Sequence, residues 1–208
     1  MKYEWRKKEK EIYFPKNKPE VINVPEFKFL TLEGEGSPEN ESFSDYIGAL
    51  YAVAYAIKMT LKKETDQPKG YVDFTVYPLE GIWSLNEEAI KKFDGTINKE
   101  DFVFKLMIRQ PDFVNHSFFK KMLEVAKKKK PNLLLEKVEF EKIKEGKCIQ
   151  MMHLGSFDNE PATFKIMEDF AKENNWTRLA KDHREIYLSD FRKVATEKLQ
   201  TVLRFKIK

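Results

Sequence analysis

Apolar and polar residues alternate from Phe27 to Leu32 ("FKFLTL") as in a half-buried strand, and the turn-rich "EGEGSPENE" that follows hands over to a different period. From about Glu41 to Lys63, Phe43, Ile47, Leu50, Ala54, Ile57 and Leu61 recur at three- and four-residue steps, which predicts a helix with one face on a core. Beside that stripe, Tyr51, Tyr55 and Met59 line up at i, i+4 spacing. Their phenol hydroxyls need partners if buried, so this line is expected to edge a cavity. Two strands are read next, "YVDFTVYPLEGIW", ended by Pro78 and Gly81, and "FVFKLMI". A helix is predicted between Pro111 and Pro131 from the spacing of Phe118, Met122 and Val125, its closing "KKKK" a solvated end that complements the helix dipole.

The same grammar then returns. "LLLEKVEFEKI" and "GKCIQMMHL" read as strands joined by a tight "KEG" turn, "GSFDNE" leads into a helix opened by Pro161, and "REIYLSD" and "LQTVLRFKI" are two more strands. "GSPENE" at Gly36 and "GSFDNE" at Gly155 thus occupy matching places, each between a strand and a helix. Short antiparallel strands with one helix per half predict an α+β fold of duplicated strand-helix-strand-strand units, with helices on one face of the sheet and a central ligand cleft. The pseudo-repeats fall at about 27–110 and 133–208. Residues 1–26, rich in lysine and broken by Pro15, Pro19 and Pro25, form a basic helix and an extended arm ahead of them.

Composition removes several function classes. The 38 basic and 34 acidic residues nearly cancel, so charge does not favour a nucleic acid partner. The single Cys148 excludes an internal disulfide, and neither a signal-peptide core nor an apolar run of bilayer length is seen. A cytoplasmic protein with no membrane association is therefore expected. His116, Cys148, His153 and His183 show no ligand spacing, so no metal and no cofactor is expected; the histidines are read as packing or hydrogen-bonding and Cys148 as an inert core thiol.

"LTLEGEGSPENESF", "ALYAVAYAIK", "YPLEGIW", "LMIRQPDFV", "EGKCIQMMHLGSFDNEPAT" and "HREIYLSDFRKVATEKLQTVLR" resemble, in order, the signature segments of stand-alone GyrI-like proteins. The resemblance covers nearly the whole chain. It implies the SOUL or gyrase-inhibitor-like fold, in which two helices lie over a concave antiparallel sheet and enclose a ligand cleft, with "GSPENE" and "GSFDNE" as equivalent turns whose glycines supply permissive backbone angles. The "YPLEG-W" and "HREIYLSD" forms are similar to the branch of cyclopropanoid cyclopropyl hydrolases, which open the cyclopropane of DNA-alkylating natural products within an aromatic cage. Ser156 and Phe157 stand where that branch has a Pro-Tyr pair after glycine, and Ser84 where it has a second tryptophan.

The resemblance implies Glu185 as the catalytic pocket glutamate, on a strand whose alternation puts Glu185 and Tyr187 on one face. Trp83, Tyr51, Tyr55, Phe104, Phe157 and Tyr187 are the ligand-binding cage candidates, since aromatic side chains offer flat contact area to planar ligands. A cage tryptophan at 83 is expected to stand partly exposed, whereas Glu80 is read as bracing its turn. Two functions stay open ahead of a third, protein-protein inhibition of gyrase, for which the sequence offers no separate feature. One is hydrolysis of cyclopropanoid alkylators as bulky, planar, apolar xenobiotics; the other is non-catalytic small-molecule binding by a sequestering or sensor protein. Neither requires an obligatory protein partner.

Overall fold

The computed structural model describes residues 2–191 and 193–208. In chain order the elements are α1 (Trp5–Lys8), α2 (Lys10–Tyr13), β1 (Glu20–Glu35), α3 (Phe43–Lys63), β2 (Leu79–Leu85), α4 (Glu87–Lys91), β3 (Phe102–Gln110), α5 (His116–Lys129), β4 (Glu139–Leu154), α6 (Glu160–Glu173), β5 (His183–Tyr187) and β6 (Gln200–Lys206). The class is α+β, with every named strand pairing antiparallel. Among the described residues no helix is long and apolar enough to cross a membrane.

The chain divides into two compact units. The first contains Phe27–Leu79, Leu85–Ile143 and the short stretch ending at Glu4. Within it β1 runs antiparallel to β3, in a register from Lys28 opposite Gln110 to Glu35 opposite Val103. Helix α3 buries Phe43, Leu50, Ala54, Ile57 and Leu61 of the predicted stripe, with Ala49 and Val53 added and Ile47 half-buried, and packs on β3 and α5. Helix α5 starts where Asn115 accepts a hydrogen bond from Phe118 N–H, and buries Phe119, Met122 and Ala126. His116 lies against the rings of Phe119 and Phe140.

The second unit contains Trp5–Glu26, Glu80–Ser84 and Lys144–Lys208. Its strands neighbour one another in the order β2, β5, β6, β4, with Trp83 opposite His183, Arg184 opposite Arg204, and Met152 opposite Val202. Because strand side chains alternate, the two faces differ in chemistry. On one face Ile149, Met151, Leu203, Phe205 and Ile207 pack with Met167 and Ala171 of α6. From the other, Gln150, Arg184 and Arg204 project into a buried polar layer. There Arg204 donates to Glu145 Oε2 (2.8 Å), Gln150 Oε1 (2.8 Å) and the Ile12 carbonyl (2.8 Å), and Gln150 Nε2 donates to the Glu11 carbonyl (2.7 Å). The lysine-rich N-terminal segment is held by these bonds. Instead of one basic helix it forms two short ones, with Trp5 and Tyr13 buried.

Glu80 completes that layer, accepting from Arg184 Nη1 at 2.8 Å with both side chains buried; it lies within β2 and braces that strand against β5 rather than bracing a turn as expected. Burial pushes the Glu80 carboxyl upward against the pull of Arg184 and Arg204. Glu145 is also buried, but the combined pull of Arg204 and Arg184 outweighs that burial and holds its carboxyl below the usual range. Burial pushes the Cys148 thiol up to about 12, which leaves it protonated and inert as a core residue.

Two expected elements differ. "LLLEKVEFEKI" and "GKCIQMMHL" are not a hairpin. Leu133–Lys137 is a 3-10 turn, and a single strand, β4, runs through Gly146, whose φ of 74° is the backbone signature of a strand bulge. The "KEG" signal is local, whereas the inward pull of Arg184 and Arg204 on buried Glu145 favours a continuous strand. The strand read from Tyr71 begins only at Leu79. Before it Phe74 makes one isolated bridge with Tyr3, and Pro78 offers no N–H to a ladder.

The repeated hexamers occupy like positions. β1 and β4 are each 16 residues long, and their first residues (139 − 20) and last residues (154 − 35) are both offset by 119. Gly36 and Gly155 follow at the same offset (155 − 36 = 119), with φ of 97° and 113°, in the left-handed region that glycine enters without penalty.

Candidate functional site

Five side chains of the second unit converge where β2, β5 and the start of α6 meet. His183, Glu185 and Tyr187 share one face of β5 by alternation. Trp83 comes from β2, and Glu160 is the first residue of α6. The turn before α6 is secured by His153, whose Nδ1 lies 2.8 Å from Thr163 Oγ1 and whose Nε2 lies 2.9 Å from the Ser156 carbonyl. Glu160 is thereby placed at a helix start tied to β4.

Glu185 is the hub. Its Oε2 accepts the Tyr187 hydroxyl hydrogen at 2.8 Å, and its Oε1 lies 2.9 Å from His183 Nε2. The Trp83 indole N–H donates in turn to the Tyr187 oxygen at 2.7 Å, so a chain of donors runs from β2 to the carboxylate. Burial, then the neighbouring charge of Glu185, raises the Tyr187 phenol well above its ordinary value. Glu160 is 7 % exposed, and its Oε1 has no hydrogen-bond partner among the described residues. Burial first, and the negative Glu185 second, push its carboxyl up to about 10. Rings border this cluster: Phe157 meets Tyr187 edge-on at 6.0 Å, and Phe164 meets His183 at 4.6 Å.

Of the residues singled out in the sequence, Glu185, Trp83, Tyr187 and Phe157 are thus brought together. Tyr51, Tyr55 and Phe104 belong to the first unit. Tyr51 and Tyr55 lie 6.1 Å apart on α3, with Tyr55 exposed. Phe104 is buried edge-on to Phe43 and Tyr46, its ring so close to Gly34 that a Cβ there would fall 2.5 Å from it. Phe157 is 38 % exposed and offers its ring to solvent. Trp83 differs from the partly exposed tryptophan expected: it is 5 % exposed, because the bond to Tyr187 turns its indole inward. Trp83→Ala is therefore expected to cost about 3–5 kcal/mol, as large-to-small changes in a packed core do. Trp83→Phe, which keeps most of the volume and loses the N–H, should cost about 1 kcal/mol. Denaturant unfolding of the two variants measures both, and a loss of stability no larger for alanine than for phenylalanine would contradict this placement.

Glu160 and His183 are functional candidates that sequence reasoning passed over. His183 stands two residues before Glu185 on a strand, so alternation alone could have put them on one face. Glu160 closes the repeated "GSFDNE", but nothing local signals that its carboxyl turns inward. One ionisable atom from each of Glu160, His183 and Glu185 lies within 4.8 Å of the others, a spacing at which a proton or a cation can be shared.

Antiparallel strands backed by helices, with aromatic rings set round a held carboxylate, make a domain suited to binding small molecules. The chain belongs to the GyrI-like family: the GyrI-like small molecule binding domain matches residues 17–208. Among solved structures it is similar to an uncharacterized conserved protein from Listeria innocua, at 40 % identity over 99 % of this chain and 100 % of the other, with a TM-score of 0.89. It is also similar to a hydrolase from the same organism, at 39 % identity over 100 % of both chains and a TM-score of 0.88. The C-terminal domain of EcmrR shares the fold alone, at 13 % identity over 92 % of this chain and 97 % of the other, with a TM-score of 0.53. No curated protein matches the chain.

Proposed function

We propose that this GyrI-like protein binds bulky, planar, apolar xenobiotics and hydrolyses the cyclopropane of cyclopropanoid DNA-alkylating compounds, with Glu185 acting on the attacking water. The observation that carries the reading is the Glu185 carboxylate, buried yet oriented by Tyr187 and His183 beside aromatic rings. A carboxylate so placed can take a proton from water while flat rings position the ligand, and positioning alone supplies much of the rate in such a reaction. The chemistry needs no cofactor. The water oxygen bonds to the less hindered ring carbon as the ring C–C bond breaks. Its electron pair passes through the conjugated dienone to the carbonyl oxygen, which takes up a proton, while the water's proton goes to Glu185; aromatisation to a phenol drives the step. Trp83, Tyr187 and Phe157 are assigned to ligand contact or its support, and the setting is the reducing cytoplasm.

The similar Listeria innocua protein is described as a hydrolase, which supports turnover. The family's description as a small-molecule-binding domain supports the second reading, capture without catalysis. Incubation of the purified protein with a cyclopropanoid alkylator, followed by mass spectrometry of the hydrated, ring-opened product, decides between them. Many products per protein molecule are expected. One per molecule means capture, and unchanged compound at stoichiometric protein removes the enzymatic reading.

A further inference from the structure

Both oxygens of Glu185 are already engaged, one by the Tyr187 hydroxyl and one by His183, whereas Glu160 brings a second buried carboxyl into the same cluster with one oxygen unpartnered. Two carboxylates this close in a buried place cannot both hold full charge without compensation. The charges that act on Glu160 do not compensate it: Glu185 from β5 and Asp158 from the turn before α6 are both acidic. Tyr187 is a phenol kept protonated, His183 is directed at Glu185, and His153 of β4 is committed to Thr163 and Ser156. We infer that Glu160 is the proton-bearing partner of Glu185, a neutral carboxylic acid whose hydrogen is shared with the Glu185 carboxylate, so that the pair carries one negative charge.

Glu160 is then a positioning residue. It touches no ligand; it fixes the orientation of Glu185 and keeps the cluster at a single charge. The upward push on the Glu160 carboxyl from burial and from Glu185 agrees with this state. The direction of the pH effect follows. With the proton in place the cluster has one negative charge; loss of that proton on the alkaline side puts two charges side by side and disturbs the carboxylate that must accept a proton from water. The catalytic consequence rests on the function proposed above, but the protonation state does not.

Infrared difference spectroscopy on the full chain at about pH 8, well above the ordinary carboxyl range, therefore tests the inference without any substrate. The wild type minus E160Q spectrum should show the C=O stretch of a protonated carboxyl, shifted in deuterium oxide. E185Q should move that band by changing its acceptor. Absence of the band would overturn the inference. So would stoichiometric binding of added Zn2+ at neutral pH that E160Q abolishes, because a cation would then occupy the place of the proton. Where a cyclopropanoid is turned over, E160A should lower the rate at least about tenfold while E160Q, which keeps a donor at that position, restores most of it and removes the alkaline fall seen in the wild type. Equal loss in E160A and E160Q would overturn the positioning role. If the wild type turns over no compound, the proposed function fails while the infrared band still decides the shared proton.

Discussion

Arg204→Ala is expected to destabilise the protein by about 3–5 kcal/mol, the loss typical of removing one partner from a buried ion pair. Arg204 is fully buried and donates to Glu145, to Gln150 and to the Ile12 carbonyl, so the truncation leaves the buried Glu145 carboxylate with Arg184 as its remaining ion-pair partner among the described residues and the part-buried Ile12 carbonyl without this donor. It also releases part of the N-terminal segment, because Ile12 is one of the points at which α2 is fastened. Urea unfolding monitored by tryptophan fluorescence measures the loss; Trp5, on the neighbouring α1, gives a local signal. The double variant Glu145→Gln with Arg204→Met should lose less than the sum of the two single changes, because the charge left behind is the main cost. A single-variant effect below about 1 kcal/mol would show that the polar layer is not a principal support of the second unit.

Glu185→Gln is expected to lower turnover of a neutral cyclopropanoid by about 10²–10⁴-fold, the range for loss of a positioned general base, with affinity for the compound nearly unchanged. Glutamine preserves the volume and can still accept from Tyr187, but it cannot take a proton from water. Single-turnover kinetics alongside equilibrium binding separate the two effects. If the variant turns over at the wild-type rate but binds cationic aromatic dyes less well, Glu185 selects ligands by charge, and the aromatic rings with ordered water perform the ring opening. If affinity falls while the rate at saturation stays at the wild-type value, the carboxylate contributes uniformly to binding and has no special part in the transition state.

Most of the element order was legible because it is written in period. α3, α5 and α6 follow three- and four-residue spacing, β3 and β6 are runs rich in strand-forming apolar residues, β5 sets Glu185 and Tyr187 on one face by alternation, and the repeated hexamers correspond to two positive-φ glycines at one offset. Family membership followed from phrases in order, which report the same local constraints. Where the sequence misled, a local signal met a distant partner. "KEG" is a good turn by composition, but Glu145 pairs with Arg184 and Arg204, about 39 and 59 residues further on, and the strand continues through Gly146. The N-terminal lysines and prolines suggested a basic helix and an extended arm, and no periodicity could reveal the three carbonyls, of Glu11, Ile12 and Lys16, that tie this segment to strand side chains and backbone.

Within the site, sequence by itself determined which side chains share a strand face, since alternation at His183, Glu185 and Tyr187 is a property of the extended backbone. Only tertiary structure decided what meets that face. Trp83 arrives by strand pairing across a separation of 104 residues from Tyr187, and Glu160 by the docking of α6 on the strands. Burial and charge then set the chemistry. The same glutamate at the start of an exposed helix would be an ordinary ionised carboxylate; enclosed beside Glu185 it holds its proton, because desolvation and a like charge act together on a group that the sequence places but does not surround.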